Sequence, residues 1–194
     1  MTNRKEHNSF DNDPWILKLV EFTKKLIQQD RIRIIGVCFG HQIIGRAAGV
    51  KVGRSDNGWE VSVLPVELTA KGKEIFQKDN LVSDLPPQDS CSWLICGQSI
   101  HQMHRDIVFE YPEGVEKLGA SPRCLVQGMY VKGKYITIQG HPEFNDQIVT
   151  EIVTTRHGQG IFNDLQFEDA IARVKNPHDG VVVAKGFLRF LLED

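Results

Sequence analysis

The chain has 194 residues, 41% of them hydrophobic, and its 23 basic and 25 acidic side chains leave a formal charge of −2. That length suits one domain with a real core, and the mixed, near-balanced charge excludes the electrostatic footprint of a nucleic-acid or anionic-membrane binder. No apolar run approaches the roughly 18 residues needed to span a bilayer, and residues 1–9 are too polar to read as a secretory leader. A small neutral or zwitterionic substrate is the expected ligand. The four cysteines, Cys38, Cys91, Cys96 and Cys124, form no CxxC pair, which points to a reducing, cytoplasmic compartment and away from disulfide staples.

In chain order, residues 14–29 predict a helix: Asp13 can cap it, Pro14 suits its first turn, and Ile16, Leu19, Val20, Leu26 and Ile27 form a stripe suited to packing on a sheet. Residues 31–37 are a short, nearly continuous apolar run of the kind buried on both faces of a parallel sheet, and residues 41–48 follow as a helix ending at Gly49. Residues 59–68 alternate loosely as a strand, residues 70–77 form a short helix, and residues 84–89, with two prolines, form a loop. Three strands are expected over residues 115–120, 124–131 and 135–139, the last two joined through Lys132-Gly133-Lys134 as a tight hairpin. Helices are expected over residues 145–155, 165–174 and 181–192, the last one amphipathic. No internal repeat or low-complexity segment interrupts them. The alternation predicts an α/β three-layer sandwich around a mostly parallel sheet.

The run Ile32-Arg33-Ile34-Ile35-Gly36-Val37-Cys38-Phe39-Gly40-His41-Gln42 brings a predicted strand to a cysteine set between two glycines and then into a helix. This is the pattern of a nucleophile on a sharp turn, where side chains on Gly36 or Gly40 would block the close approach of neighbouring backbone. A free thiol has a pKa of about 8.5, so the helix start and a nearby imidazolium are needed to favour the thiolate. His141, in Gly140-His141-Pro142-Glu143, offers that imidazole, and Glu143 can accept from its second ring nitrogen. The backbone N–H of Phe39 is placed to bind an oxyanion, and a second donor must come from elsewhere.

Taken singly, each of these residues has an ordinary reading: Cys38 as an inert buried side chain, His141 as a satisfied loop histidine, Glu143 as a solvated charge. Their joint appearance favours thiol catalysis. His101, His104 and Asp106 with Cys91 or Cys96 match no common zinc spacing, so neither a metal nor a cofactor is expected. Trp15, Trp59 and Trp93 read as packing residues, Arg46 and Arg54 as a solvated or ion-paired set, and Cys91, Cys96 and Cys124 as structural.

The segments Gly36-Val37-Cys38-Phe39-Gly40-His41-Gln42 and Gly140-His141-Pro142-Glu143 together resemble the class I (triad) glutamine amidotransferase family. Residues 8–16, Val52-Gly53-Arg54, Gly58-Trp59 and His104-Arg105-Asp106 are similar to its stand-alone fungal and plant subgroup, which includes γ-glutamyl peptidases. The resemblance covers residues 8–144. It implies a flavodoxin-like fold in which Cys38 attacks a γ-glutamyl amide, His141 protonates the leaving amine, and water releases glutamate from a thioester. It implies also that Gln42 and the backbone around Met103 to Asp106, with His104, Arg105 and Asp106 as binding residues, hold the substrate's amino-acid end, while Phe39 binds the substrate through its N–H.

Family members place a strand, a helix and a second strand with a glycine loop ahead of the region where this chain starts, and no hydrophobic strand precedes Pro14. Residues 1–194 are therefore expected to form one domain that is short at its N-terminus, the product of a shortened gene, of an alternative start, or a piece that lacks its natural beginning. Such a chain would expose a sheet edge, and losing one oxyanion donor typically costs about 10²- to 10³-fold in rate. Three functions remain open from sequence: a hydrolase acting on glutamine, with ammonia released or passed to a separate accepting protein; a γ-glutamyl peptidase acting on glutathione-like compounds; and a non-catalytic regulatory homologue. Thiol redox chemistry on the same elbow is disfavoured by the His-Pro-Glu segment.

Overall fold

A computed structural model describes residues 7–77 and 97–192; the expected loop at 84–89, with Cys91, Trp93 and Cys96, lies outside the described residues. Helix α1 (Pro14–Ile27) opens at Asp13 with proline in its first turn and closes with Lys24 and Lys25 in its last, which suits both the absent proline N–H and the helix dipole. Strand β1 (Ile34–Val37) is shorter than the apolar run that predicts it, and α2 (Phe39–Ala47) follows after one residue. The principal neighbour of α1 is α2, not the sheet, because α2 already covers that side of β1.

The remaining elements are β2 (Val52–Arg54), β3 (Glu60–Leu68), α3 (Ala70–Phe76), β4 (Gly97–His104), β5 (Asp106–Val108), β6 (Glu116–Ala120), β7 (Gly128–Val131), β8 (Tyr135–Ile138), α4 (Asp146–Gly158), α5 (Asp164–Arg173) and α6 (Gly180–Leu192). Six strands form one sheet in the order β1-β8-β7-β6-β3-β4, while β2 and β5 pair separately.

The α/β layering agrees with expectation, but the sheet is mixed, with β1·β8 as the parallel pair among the described strands. Two local features explain this. The three-residue turn at 132–134, with Gly133 at φ 70°, forces β7 and β8 antiparallel. Strand β4, which the sequence reading did not place, pairs antiparallel with β3 from Gly97↔Glu67 to His104↔Glu60.

Alternation along β8 sets the layers. Ile136 and Ile138 point into a core with Phe76 of α3 and Val183, Phe187 and Phe190 of α6. Tyr135 joins Ile44 of α2 in a second core, and the Thr137 hydroxyl meets the buried ring of His41 at 2.7 Å. A third core joins Val61 and Met103 to α4 and α5 through Val149, Val153, Phe162 and Ala170. The strand ends that carry the candidate site are thus braced from both faces.

The two glycines beside Cys38 differ. A Cβ on Gly36 would lie 2.7 Å from Ile44 Cδ1 and 3.0 Å from both the Gly40 carbonyl carbon and Thr137 Cγ2, whereas a Cβ on Gly40 would meet nothing within 4 Å. Only Gly36 carries the expected steric role. Gly36→Ala is expected to cost about 1–3 kcal/mol through overpacking, while Gly40→Ala, in a helix, is expected to leave stability unchanged or raise it by up to about 1 kcal/mol. Urea unfolding of the two variants checks the contrast.

Candidate active site

Strand β1 delivers Cys38 at its end. The backbone there has φ 48° and ψ −102°, and Cys38 stands as the N-cap of α2. A non-glycine residue at such a positive φ carries strain of about 1–3 kcal/mol and persists where surrounding structure over-determines it. Here Cys38 N–H donates to the Ile138 carbonyl at 3.0 Å and Gln42 N–H donates to the Cys38 carbonyl at 3.1 Å. The sharp turn is therefore tied to β8 on one side and to α2 on the other. Phe39 begins α2, so its N–H is among the four that a helix leaves without an internal acceptor.

Strand β8 delivers the second half. Gln139, fully buried, points its Nε2 at Cys38 Sγ, 3.6 Å away. At Gly140 a Cβ would lie 2.8 Å from Ile100 Cγ2 and 3.1 Å from the His101 carbonyl oxygen, so glycine lets the chain lie against β4. His141 N–H then donates to that carbonyl at 2.8 Å. The His141 ring stacks on Phe144, with centroids 4.0 Å apart and planes within 7°. Its Nδ1 lies 2.7 Å from Glu143 Oε1, which leaves Nε2 for the thiol.

Burial alone would depress the His141 pKa, but hydrogen bonds to Cys38 and Glu143, and the charges of both, raise it to about 9. Burial opposes ionisation of Glu143 as well; the hydrogen bond from His141, a bond from its own backbone and the imidazolium charge outweigh that and hold the carboxyl below its usual range. His141, 103 residues after Cys38 in the sequence, lies within reach of the thiol and of Glu143.

Cys38 opens onto a cavity of about 620 Å³, which Phe39, Gln42, His104, Arg105 and Asp106 also line. All five expected binding residues therefore share the thiol's cavity, but several of their polar atoms are already engaged. Gln42 Nε2 donates to the Asp106 carbonyl at 2.8 Å and to Gln139 Oε1 at 3.0 Å, and Gln42 Oε1 accepts from Ser9 at 2.6 Å. Its amide braces the cavity floor. The Asp106 carboxylate is held by Arg54 Nε at 2.9 Å, and the buried His104 lies against Glu60. Arg105 Nε, by contrast, has no acceptor.

Sequence reasoning did not single out Gln139, Phe144, Ser9, Arg156 or Ile161 as site residues. For Gln139 a signal existed: it is a polar side chain at the end of an apolar strand, two residues before His141. Arg54 is ion-paired with Asp106 as expected, whereas Arg46 donates to the backbone carbonyls of Ser9 and Asp11. A second cavity of about 270 Å³ between Trp59, Arg123 and Arg173 holds none of the expected residues. Among the described residues, the grouping of metal-ligand types is His7, Asp11 and Asp13, where His7 Nδ1 and Asp13 Oδ2 are already hydrogen-bonded at 2.6 Å; His101, His104 and Asp106 form no such group. No described helix is long and apolar enough to cross a membrane.

Two outcomes follow for the triad geometry. In an NMR titration, His141 is expected to lose its proton near pH 9, and Glu143→Gln to lower that midpoint by removing one raising partner. Because the folded value lies above the unfolded 6.5, the associated stability is fully present below about pH 6.5 and is lost as pH rises through about 9. Cys38→Gly is expected to be more stable than Cys38→Ala by about 1 kcal/mol, since glycine adopts positive φ without a Cβ penalty; thermal denaturation measures the difference.

The sequence profile of the family described as glutamine amidotransferase class-I matches residues 12–148. A glutamine amidotransferase-like protein of Schizosaccharomyces pombe is 38% identical over 181 residues, 93% of this chain and 66% of that protein. Gamma-glutamyl peptidase 2 of Arabidopsis thaliana is 34% identical over 151 residues, 78% of this chain and 55% of that protein. A solved glutamine amidotransferase of Thermotoga maritima superposes with a TM-score of 0.63 at 22% identity, covering 97% of this chain and 74% of that one, and so shares the fold. The chain spans between about half and two thirds of the length of these two curated relatives. With the profile extending over most of its residues, from ahead of α1 to the start of α4, the chain belongs to the class-I glutamine amidotransferase family.

Proposed function

We propose that the protein hydrolyses a γ-glutamyl amide bond, in glutamine or in a γ-glutamyl compound, through a thioester on Cys38. The observation that supports this is the grouping of Cys38, His141 and Glu143 at the adjacent ends of β1 and β8, with Cys38 opening onto a cavity. Glutamine and γ-glutamyl peptides present the same reacting carbonyl. The peptidase reading is supported by the likeness to a γ-glutamyl peptidase.

In the first step the Cys38 sulfur forms a bond to the γ-carbonyl carbon, and the oxygen takes up the displaced electron pair as an oxyanion, with Phe39 N–H as donor. As this intermediate collapses, the C–N bond breaks and the His141 imidazolium gives its proton to the leaving amine. Water then attacks the thioester, His141 takes its proton, and glutamate leaves with the thiol restored. Glu143 holds the imidazole in the tautomer that faces the sulfur. No cofactor or metal enters these steps. Ammonia formed from glutamine would leave to solution or to a separate accepting protein, and the free thiol suits a cytoplasmic setting.

A γ-glutamyl diazoketone is expected to label Cys38 in the folded protein, read as a mass adduct on the peptide that contains it. Absence of the adduct would sink the thioester route and leave binding alone as the function. Cys38→Ala is expected to lose about 10⁴-fold or more of turnover with both glutamine and γ-glutamyl peptides; activity retained in full by that variant would exclude the route independently.

A further inference from the structure

We propose that Gln139 is a catalytic hydrogen-bond donor to the Cys38 sulfur, and that Gln42 is a positioning residue that fixes which end of the Gln139 amide faces that sulfur. The inference deepens the thioester reading and rests on it for the step that uses the sulfur; the hydrogen bonds stand without it. His141 bonds the thiol and Glu143 backs His141. Gln139 Nε2 lies 3.6 Å from the same Sγ, a hydrogen-bond length for an acceptor as large as sulfur.

The orientation of both amides follows from a backbone carbonyl, which can only accept. Gln42 presents one end of its amide to the Asp106 carbonyl oxygen at 2.8 Å, so that end is Nε2. Turned over, it would set two acceptor oxygens against each other. The opposite end, Oε1, accepts from the Ser9 hydroxyl at 2.6 Å. Gln42 Nε2 has a second proton, and the near end of the Gln139 amide lies 3.0 Å from it. That near end is therefore the oxygen, and Nε2 is the end that faces sulfur. From the Asp106 carbonyl outward every donor meets an acceptor, and the last acceptor is the reacting atom. Ser9, Gln42 and Gln139 are all buried, so water does not compete for these bonds. The backbone is pinned at both ends of the contact: Gln139 N–H donates to the Gln127 carbonyl at 2.9 Å and Cys38 N–H to the Ile138 carbonyl at 3.0 Å.

The sulfur changes charge during the proposed cycle. It is anionic as the nucleophile and neutral once bonded to the γ-carbon. It is anionic again when water has attacked the thioester and the C–S bond breaks, its electron pair returning to sulfur. A neutral amide follows those changes without giving up a proton, because its N–H bond strengthens whenever the acceptor is charged. Gln139 therefore favours the thiolate before attack and its departure at the end.

Replacing Gln139 by methionine, which is close to it in size, removes the donor and changes no charge. The titratable groups around the sulfur, His141 with Glu143 behind it and His7, His104, Asp106 and three arginines in the cavity, stay as they are. In Gln139→Met the pH at which Cys38 becomes reactive toward iodoacetamide, followed in parallel by the ultraviolet absorbance of the thiolate, is expected to lie about one pH unit higher. That is a tenfold loss of thiolate at fixed pH, the size of one hydrogen bond to a charged acceptor. Gln42→Met is expected to move the midpoint the same way by less, and the double variant no further than Gln139→Met alone, because Gln42 acts through Gln139. An unchanged midpoint in Gln139→Met would overturn the donor role, and shifts that add in the double variant would overturn the positioning role.

A second measurement leaves Gln139 in place and holds even where its variants fail to fold. In the unmodified protein the side-chain amide proton resonance of Gln139 is expected to move downfield over the pH range in which the thiol becomes reactive, and in Cys38→Ala to lose that movement. Equal movement in both proteins, or none in either, would overturn the proposal. Neither measurement involves substrate. A failed donor test with intact diazoketone labelling of Cys38 would strike the Gln139 role alone, and an intact donor test without labelling would strike the thioester alone.

Discussion

The hydrogen bond from Cys38 N–H to the Ile138 carbonyl is the contact on which the site depends. It extends the parallel pairing of β1 and β8, whose register ends at Val37↔Ile138, by one step beyond the last paired residues. Because the strands run the same way, they leave the sheet at the same edge, one into the Cys38 turn and the other into Gln139, Gly140 and His141. In an open α/β sheet the carboxyl ends of parallel strands are where ligands bind. About a hundred residues of chain are thereby reduced to a few ångströms. Most of the remaining sheet is antiparallel, yet the chemistry gathers at its one described parallel pair.

Beneath that edge lies a buried polar network. Gln139 links Cys38 Sγ to Gln42, and Gln42 links onward to Ser9 and the Asp106 carbonyl. The same carbonyl lies 3.3 Å from His104 Nδ1, and beyond His104 the Glu60 carboxylate accepts from Ser121 at 2.7 Å and from Gln127 at 2.9 Å. Buried amides and carboxylates are costly when unpaired and rigid when satisfied. The floor under the thiol is therefore stiff, and this is what holds Cys38 at a backbone conformation it would otherwise leave.

The elements whose chemistry is local were legible in the sequence. Cys38 after an apolar run, Pro14 at a helix start and Gly133 in a three-residue turn each act through their own backbone or nearest neighbours. Strand β4 was not legible, because Gly97-Gln98-Ser99-Ile100-His101-Gln102-Met103-His104 buries polar side chains and so shows no apolar alternation. Its absence from the sequence reading is also why the sheet was expected to be mostly parallel. Gly40 looked sterically required by its position next to the thiol, but only Gly36 faces crowded atoms. The partners of Gln42 were hidden for a different reason: Ser9, Asp106 and Gln139 are 33, 64 and 97 residues away in the chain. Spacing could suggest that Gln42 belongs to the site and could not show that its amide is spent within the protein.

Two histidine–carboxylate pairs in this molecule show how surroundings divide one chemistry into two roles. His104 and Glu60 are both buried, with Nε2 and Oε2 3.1 Å apart though off line for a hydrogen bond, and Glu60 is further fixed by Ser121 and Gln127. Moving a proton there would leave a buried charge without its partner, a costly state that favours a fixed arrangement. His141 is mostly buried but its partner Glu143 has 53% of its side chain exposed, and Phe144 holds the ring only by its face. Water can compensate Glu143 as the imidazole changes charge, so the proton can move at small cost. A base must exchange its proton in each step of acyl transfer. On that ground the pair at the sheet edge, and not the more deeply buried one beneath it, fits the proposed turnover.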